Sequence, residues 1–213
     1  MKKYLVAAAA LALPLTAAHA GPGLNGAYWL NGYGGNIGGT PDATFNTNTV
    51  CFPSCFSAID DGGSVSDFLG VPYGYTTGLS ANYSGLSRHA LQLSGFLNIA
   101  ASGTYNLGLF SDDGSYMWVD GILVVDNGGD HAPQSATHYN VFLTAGAHTL
   151  RIYQQENGGE TALTAYMNGT PLGGSVISTT ASAPEPASWA MMLGGFSLIG
   201  GIMRSRRTSV RFA

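Results

Sequence analysis

Asp112 and Asp113 stand side by side in "FSDDGSYMWVD", at the end of an apolar strand pattern. Adjacent carboxylates repel each other, and the repulsion turns into a gain when a divalent cation sits between them. Two aspartates at one turn therefore bring two anionic groups within reach of one ion. A second polar stretch, "DNGGDH" from Asp126 to His131, has the composition of a cation loop without the full EF-hand pattern. It reads better as a polar hairpin loop, placed where it could flank the aspartates. Catalytic constellations are missing. His131, His138 and His148 lack HExxH spacing, and Ser111 is not in a G-x-S-x-G elbow. Neighbouring carboxylates on one turn are poorly placed to act across a glycosidic bond. Nothing assembles a nucleophile, a base and an oxyanion site, so no enzyme is expected.

The charge distribution supports a cation host. Only 9% of the residues are charged, against roughly 25% in an average soluble protein. Between Gly21 and Pro184 the only bases are Arg88 and Arg151. The same region holds Asp42, Asp60, Asp61, Asp67, Asp112, Asp113, Asp120, Asp126, Asp130, Glu156 and Glu160. Such a region repels nucleic acid and anionic lipid, and no nucleic-acid partner is expected. Cys51 and Cys55, in "CFPSC", are the only cysteines. Two thiolates without a second pair or a nearby histidine make half a zinc site. In an oxidising compartment they read as a small disulfide loop.

Both termini read as addresses. Residues 1–20 carry two lysines, the apolar run "YLVAAAALALPL" and the ending "AHA", the layout of a secretory signal cleaved after Ala20. Near the other end, Pro184, Glu185 and Pro186 precede an uncharged run that stops at Met203, before Arg204, Arg206 and Arg207. The run is at the short limit for a membrane helix, and the arginines would hold its end on the cytoplasmic side. The expected division is a signal peptide at 1–20, a folded domain at 21–174 and a tether at 175–188. A transmembrane segment at 189–203 and a basic cytoplasmic tail at 204–213 follow. The order Pro-Glu-Pro, apolar run, basic end resembles a PEP-CTERM sorting signal. That resemblance implies a transient inner-membrane anchor, cutting by an exosortase near Pro184–Pro186, and release to the cell surface or extracellular space.

Short runs of period two carry the domain. "HALQLSGFLNIA" alternates at Leu91 and Leu93, and "GTYNLGLF" at Tyr105, Leu107 and Leu109. "SYMWVDG" and "ILVVD" flank the turn pair Asp120-Gly121. Two more runs surround Ala145-Gly146, and "TALTAYMNG" closes the series. The fold class expected is all-β, an antiparallel β-sandwich with long loops, beside the signal helix and one C-terminal transmembrane helix. No stretch of the domain shows a helical period. Gly32 to Tyr83 is polar and glycine-rich and reads as large loops.

The blocks "GLNGAYWLN", "LSGFLNIAASGTYNLGLFSDDGSYMWVDGILVVDN" and "LTAGAHTLRIYQQENGGETALTAYM" together resemble the PA-fourteen family, over roughly Gly23 to Met167. The family is named for anthrax protective antigen and occurs in flocculins, adhesins and bacterial surface proteins. The resemblance implies a β-sandwich that binds carbohydrate. In the family's lectins two consecutive aspartates, joined by a cis peptide, hold a calcium ion that binds sugar hydroxyls. Asp112 and Asp113 match that pair. A later asparagine completes the metal set, and Asn157 is its best positional candidate, at a spacing that departs from the family's, with Gln155 and Glu156 as rival oxygen donors; Glu156 joins the ligand-binding set. Calcium takes six to eight oxygens and leaves room for those of a ligand. The expected function is an exported surface or matrix module for carbohydrate, linked to exopolysaccharide or biofilm. The alternative is a structural surface protein without a sugar site.

Overall fold

The computed structural model describes residues 23–32, 37, 39–60, 62–69, 86–181 and 192–200. The signal segment, Pro184, Glu185, Pro186, Arg204, Arg206 and Arg207 lie outside the described residues.

Period-two alternation produces two facing antiparallel sheets. In the first sheet, β1 (Leu24–Leu30), β2 (Ala43–Thr47), β5 (His89–Ile99), β7 (Ser115–Val119), β8 (Ile122–Asn127) and β10 (Gly146–Glu156) run in the order β2-β1-β5-β10-β7-β8. The second sheet orders β12 (Thr170–Pro171), β11 (Glu160–Met167), β6 (Gly103–Asp112) and β9 (Gln134–Leu143) as β12-β11-β6-β9. The two-residue strands β3 (Cys51–Phe52) and β4 (Ile59–Asp60) pair with β11. Leu91, Leu93, Leu97, Met117, Leu150 and Ile152 of one sheet and Leu107, Leu109, Leu163 and Ala165 of the other are buried in one core. Burying such side chains stabilises by about 1.5–3 kcal/mol each. Gly95 interrupts the leucine row of β5 because a Cβ there would lie 2.5 Å from the Ser178 carbonyl and 2.7 Å from Leu24.

The register decides where the loops fall. Asp112 ends β6 opposite Ala162 of β11, Ser115 starts β7 opposite Gln154 of β10, and Asn127 of β8 lies opposite Ser115. The β6–β7, β8–β9 and β10–β11 links pass between the sheets at one end of the sandwich, and the β5–β6 and β9–β10 links pass between them at the other. At the other end, Asp120 and Gly121 turn with φ of 50° and 78°. There the Asp120 carboxylate accepts from His148 Nδ1 at 2.6 Å and from the Thr149 N–H at 2.8 Å.

Three expectations change. The stretch read as loops from Gly32 to Tyr83 contributes β2 and part of the core: Phe45, Phe52 and Phe68 are buried, with ring centroids 6.2 and 5.9 Å apart in sequence order. It also contains a helix, α1 (Val65–Leu69). At five residues α1 is too short to show a period. Its start was nonetheless written in Ser64 and Asp67, which cap each other: the Asp67 carboxylate accepts the Ser64 N–H at 3.0 Å and the Ser64 hydroxyl accepts the Asp67 N–H at 3.1 Å. Finally, the fold runs past residue 174. Ile177 and Ser178 form β13, which pairs with β5, and Ile177 is fully buried.

Cys51 and Cys55 are joined by a disulfide. The segment they close lies over the second sheet, where Phe56 contacts Phe110 and Tyr166. The compact unit covers 20–182. The expected transmembrane segment is described only at 192–200, which is helical and exposed. Among the described residues no helix is long and apolar enough to cross a membrane.

If residues 43–69 are core rather than loop, Phe52→Ala should cost about 3–5 kcal/mol. Urea unfolding with the disulfide intact checks this. A loss under about 0.5 kcal/mol, the range of surface substitutions, would contradict the assignment.

Candidate metal centre

The β6–β7, β8–β9 and β10–β11 links carry the residues singled out by sequence. Asp112 is the last residue of β6, and its backbone carbonyl accepts from Gln154 Nε2 at 3.0 Å. The Asp112–Asp113 peptide bond is cis. Asp113 then engages both other links. Its Oδ1 accepts the His131 N–H at 2.7 Å, and its Oδ2 accepts the Asn157 N–H at 2.9 Å. Its own N–H donates to Glu156 Oε2 at 3.0 Å, while Glu156 Oε1 accepts the Gly158 N–H at 2.7 Å. Gly114 keeps the links close: a Cβ there would lie 2.7 Å from the Gly129 carbonyl oxygen.

The result is a buried acidic cluster. One carboxylate oxygen from each of Asp112, Asp113 and Glu156 lies within 4.8 Å of the others. Both aspartates are 5% exposed and Glu156 is fully buried. Burial, and then the charge of Asp113, pushes Asp112 up to about 7. Burial likewise pushes Glu156 up to about 8, against the pull of the Gly158 N–H, with Asp113 and Asp112 adding repulsion. Desolvation disfavours the ionised form, and a like charge nearby adds to it.

Asn157 sits beside this cluster. Its Nδ2 donates to Asp130 Oδ2 at 2.9 Å. Its Oδ1 is buried and has no hydrogen-bond partner. A buried amide oxygen left unpaired costs about 1–3 kcal/mol, and hard cations take such oxygens as ligands. The structure thus brings together Asp112, Asp113, Glu156 and Asn157. Gln155, the other rival donor, points to the opposite face of β10 and lines a separate groove.

The loop "DNGGDH" lies against the cluster through Asp130 and His131. Sequence reading singled it out as a polar loop, and its part in holding Asp113 depended on the sheet crossing. Gln154 and Thr161 had no signal of their own. They support the Asp112 carbonyl from behind, the Thr161 hydroxyl at 3.4 Å. Behind them His89 is fully buried, stacked on Tyr28 at 4.9 Å, with Nδ1 donating to the Leu86 carbonyl at 2.8 Å. Burial lowers its pKa to about 4. Tyr28 and Trp29 are buried.

Residues 77–177 match the PA14 domain family model, and residues 182–207 match the PEP-CTERM protein-sorting motif. Among solved structures, the PA14 domain of the MpAFP antifreeze protein is 20% identical, with a TM-score of 0.62, over 76% of this chain and 93% of that one. The PA14 sugar-binding domain from an RTX adhesin is 23% identical, with a TM-score of 0.60, over 76% of this chain and 99% of that one. The Epithelial Adhesin 9 A domain from Candida glabrata, solved in complex with Galb1-4GlcNAc, is 11% identical, with a TM-score of 0.50, over 75% of this chain and 90% of that one. These likenesses establish the fold. No curated protein matches the chain.

The shifted groups give a pH profile. With Asp112 and Glu156 raised, the folded protein binds more protons than the unfolded chain between their unfolded and folded pKa values. Their contribution is full below the unfolded values and lost as pH rises through about 7 and then about 8. His89, held low at about 4, acts oppositely: stability rises with pH up to its unfolded value of about 6.5. In EDTA, these three groups together should make the thermal midpoint fall from about pH 4.5 to about pH 8, more steeply above about pH 6.5, where the opposing contribution of His89 ends. Glu156→Gln should flatten the alkaline limb. An alkaline limb unchanged by this substitution would refute the assignment.

Proposed function

Because the chain carries a PA14 domain followed by a PEP-CTERM sorting motif, we propose that it is an exported, non-catalytic carbohydrate-binding protein. Its place is the cell surface or extracellular matrix, in the setting of exopolysaccharide or biofilm. Calcium held by Asp112, Asp113 and Asn157 is the proposed cofactor. An exosortase, acting during passage through the inner membrane, is the proposed processing partner.

The observation that carries the calcium reading is the unpaired, buried Oδ1 of Asn157 beside the carboxylate cluster. The donor set fits a hard cation: oxygens only, anionic in part, and too few to fill a shell of six to eight. The bound ion would supply positive charge for the carboxylates and open positions for vicinal sugar hydroxyls. The protein's own part is positioning. Asp113 is fixed by two backbone N–H groups from two different loops, which leaves its carboxylate little freedom to turn away. Glu156 braces the backbone of Asp113 and of Gly158, so its role is to hold the aspartate pair and the Asn157 loop together. Gly158 and Gly159 have φ of 120° and 110°. They let the chain double back in a conformation that side chains rarely adopt. A binding role also suits the cluster better than hydrolysis: its carboxylates converge on one point instead of facing each other across a bond.

Calorimetric titration of the purified protein should show calcium binding. Asp112→Asn/Asp113→Asn should abolish it. Asn157→Ala should weaken it by about tenfold or more while lowering the thermal midpoint in EDTA only slightly, since its Oδ1 has no partner to lose and the Nδ2 bond to Asp130 that goes with it is exposed. No binding by the parent protein would sink the calcium reading. A glycan array without any signal at millimolar calcium would sink the carbohydrate reading.

A further inference from the structure

The strand that ends in Glu156 has a second face. Along β10, Leu150, Ile152 and Gln154 point into the core, and Arg151, Tyr153 and Gln155 point out of the first sheet. Across the sheet, Tyr153 stands opposite Gln92 of β5 on one side and Tyr116 of β7 on the other. Arg151 stands opposite Trp118. These six side chains, with Ile37 at the margin, line a cavity of about 330 Å³. That lies at the lower end of the range for small-ligand clefts. The Tyr116 ring lies 5.9 Å from Trp118 and 6.2 Å from Tyr153, with interplanar angles of 31° and 29°. The Arg151 guanidinium lies 3.9 Å from the Trp118 ring centroid.

An outward sheet face is ordinarily polar. This one instead groups three aromatic rings with a guanidinium and two amides. We propose that the groove is a second carbohydrate-contacting site, which takes a neutral pyranose chain without calcium. Tyr116 and Trp118 are partly exposed and can stack on the C–H faces of sugars, over a floor formed by Tyr153, which is buried. Arg151 offers N–H donors, and Gln92 and Gln155 offer both donors and acceptors, the inventory that hydroxyl groups need. The acid excess of the domain opposes a polyanion, whether uronate-rich glycan or nucleic acid, which leaves the neutral chain as the occupant.

The groove also abuts the acidic cluster. The Gln155 N–H donates to the Gly114 carbonyl at 2.9 Å, and the Tyr116 ring fills the space a side chain at Gly128 would need. One glycan chain could meet both surfaces. The inference rests on the carbohydrate reading but not on the metal.

Purified protein would be titrated by calorimetry in EDTA, and again in millimolar calcium, with cellohexaose, mannohexaose, xylohexaose and trigalacturonate. At least one neutral hexasaccharide should bind in EDTA. Trp118→Ala should weaken that binding by about tenfold, while Trp118→Tyr, which keeps a ring, should retain most of it and controls for folding. Asp112→Asn/Asp113→Asn should leave it unchanged. Binding that vanishes in EDTA, that ignores Trp118→Ala, or that favours trigalacturonate would overturn the second site while leaving the calcium reading intact. Binding of none of the sugars in either buffer would overturn the second site, and with a silent glycan array it would overturn the carbohydrate reading too.

Discussion

One residue holds three loops. Asp113 accepts N–H groups from His131 and Asn157 and gives its own N–H to Glu156. These partners come from the β8–β9 link, the β10–β11 link and the end of β10 at the same end of the sandwich. A charged acceptor with two backbone donors makes hydrogen bonds roughly twice as strong as neutral ones. The links themselves, at 113–114, 128–133 and 157–159, have only Ala132 and Pro133 as apolar side chains. Their order depends on that carboxylate, and so do the positions of Asp130 and Asn157.

The same arrangement carries an electrostatic cost. A chain with only 9% charged residues gathers three carboxylates in a buried space. The protein limits the cost by keeping Asp112 and Glu156 easy to protonate. A fold selected for stability alone would replace such a cluster with neutral side chains of similar volume, since buried ionic groups rarely beat well-packed apolar ones. Consistency between local and global preferences breaks at functional sites more often than elsewhere. Here the break is local: Leu91, Leu93, Leu107, Leu109, Leu150, Ile152 and Leu163 form one apolar cluster between the sheets.

Much of this was legible in the sequence. Alternation at Leu91, Leu93, Leu107 and Leu109 marked strands, Asp120-Gly121 marked a hairpin, and Asp112-Asp113 pointed to the end where the carboxylates cluster. What escaped has a common cause. Alternation says which side of a strand is buried but not which sheet the strand joins. The runs around Ala145-Gly146 are neighbours in sequence, yet β9 pairs with β6 and β10 pairs with β5 and β7. Only with those pairings known does His131 reach Asp113. Phe45, Phe52 and Phe68 were hidden for a different reason. They lie in short or irregular pieces, where no window is long enough for a period to emerge.

β10 connects the two candidate surfaces. Its register sets Gln154 and Glu156 toward the acidic cluster and Arg151, Tyr153 and Gln155 toward the outer groove, because successive side chains of a strand leave on opposite faces. A slip of one residue would exchange the two sets and destroy both surfaces at once. The inner row is fixed by burial of Leu150 and Ile152, and by pairing with β5 along the full length of the strand. The hydrophobic core therefore sets more than stability. It fixes the register of β10, and that register sets which side chains reach the loop end and which reach the outer face.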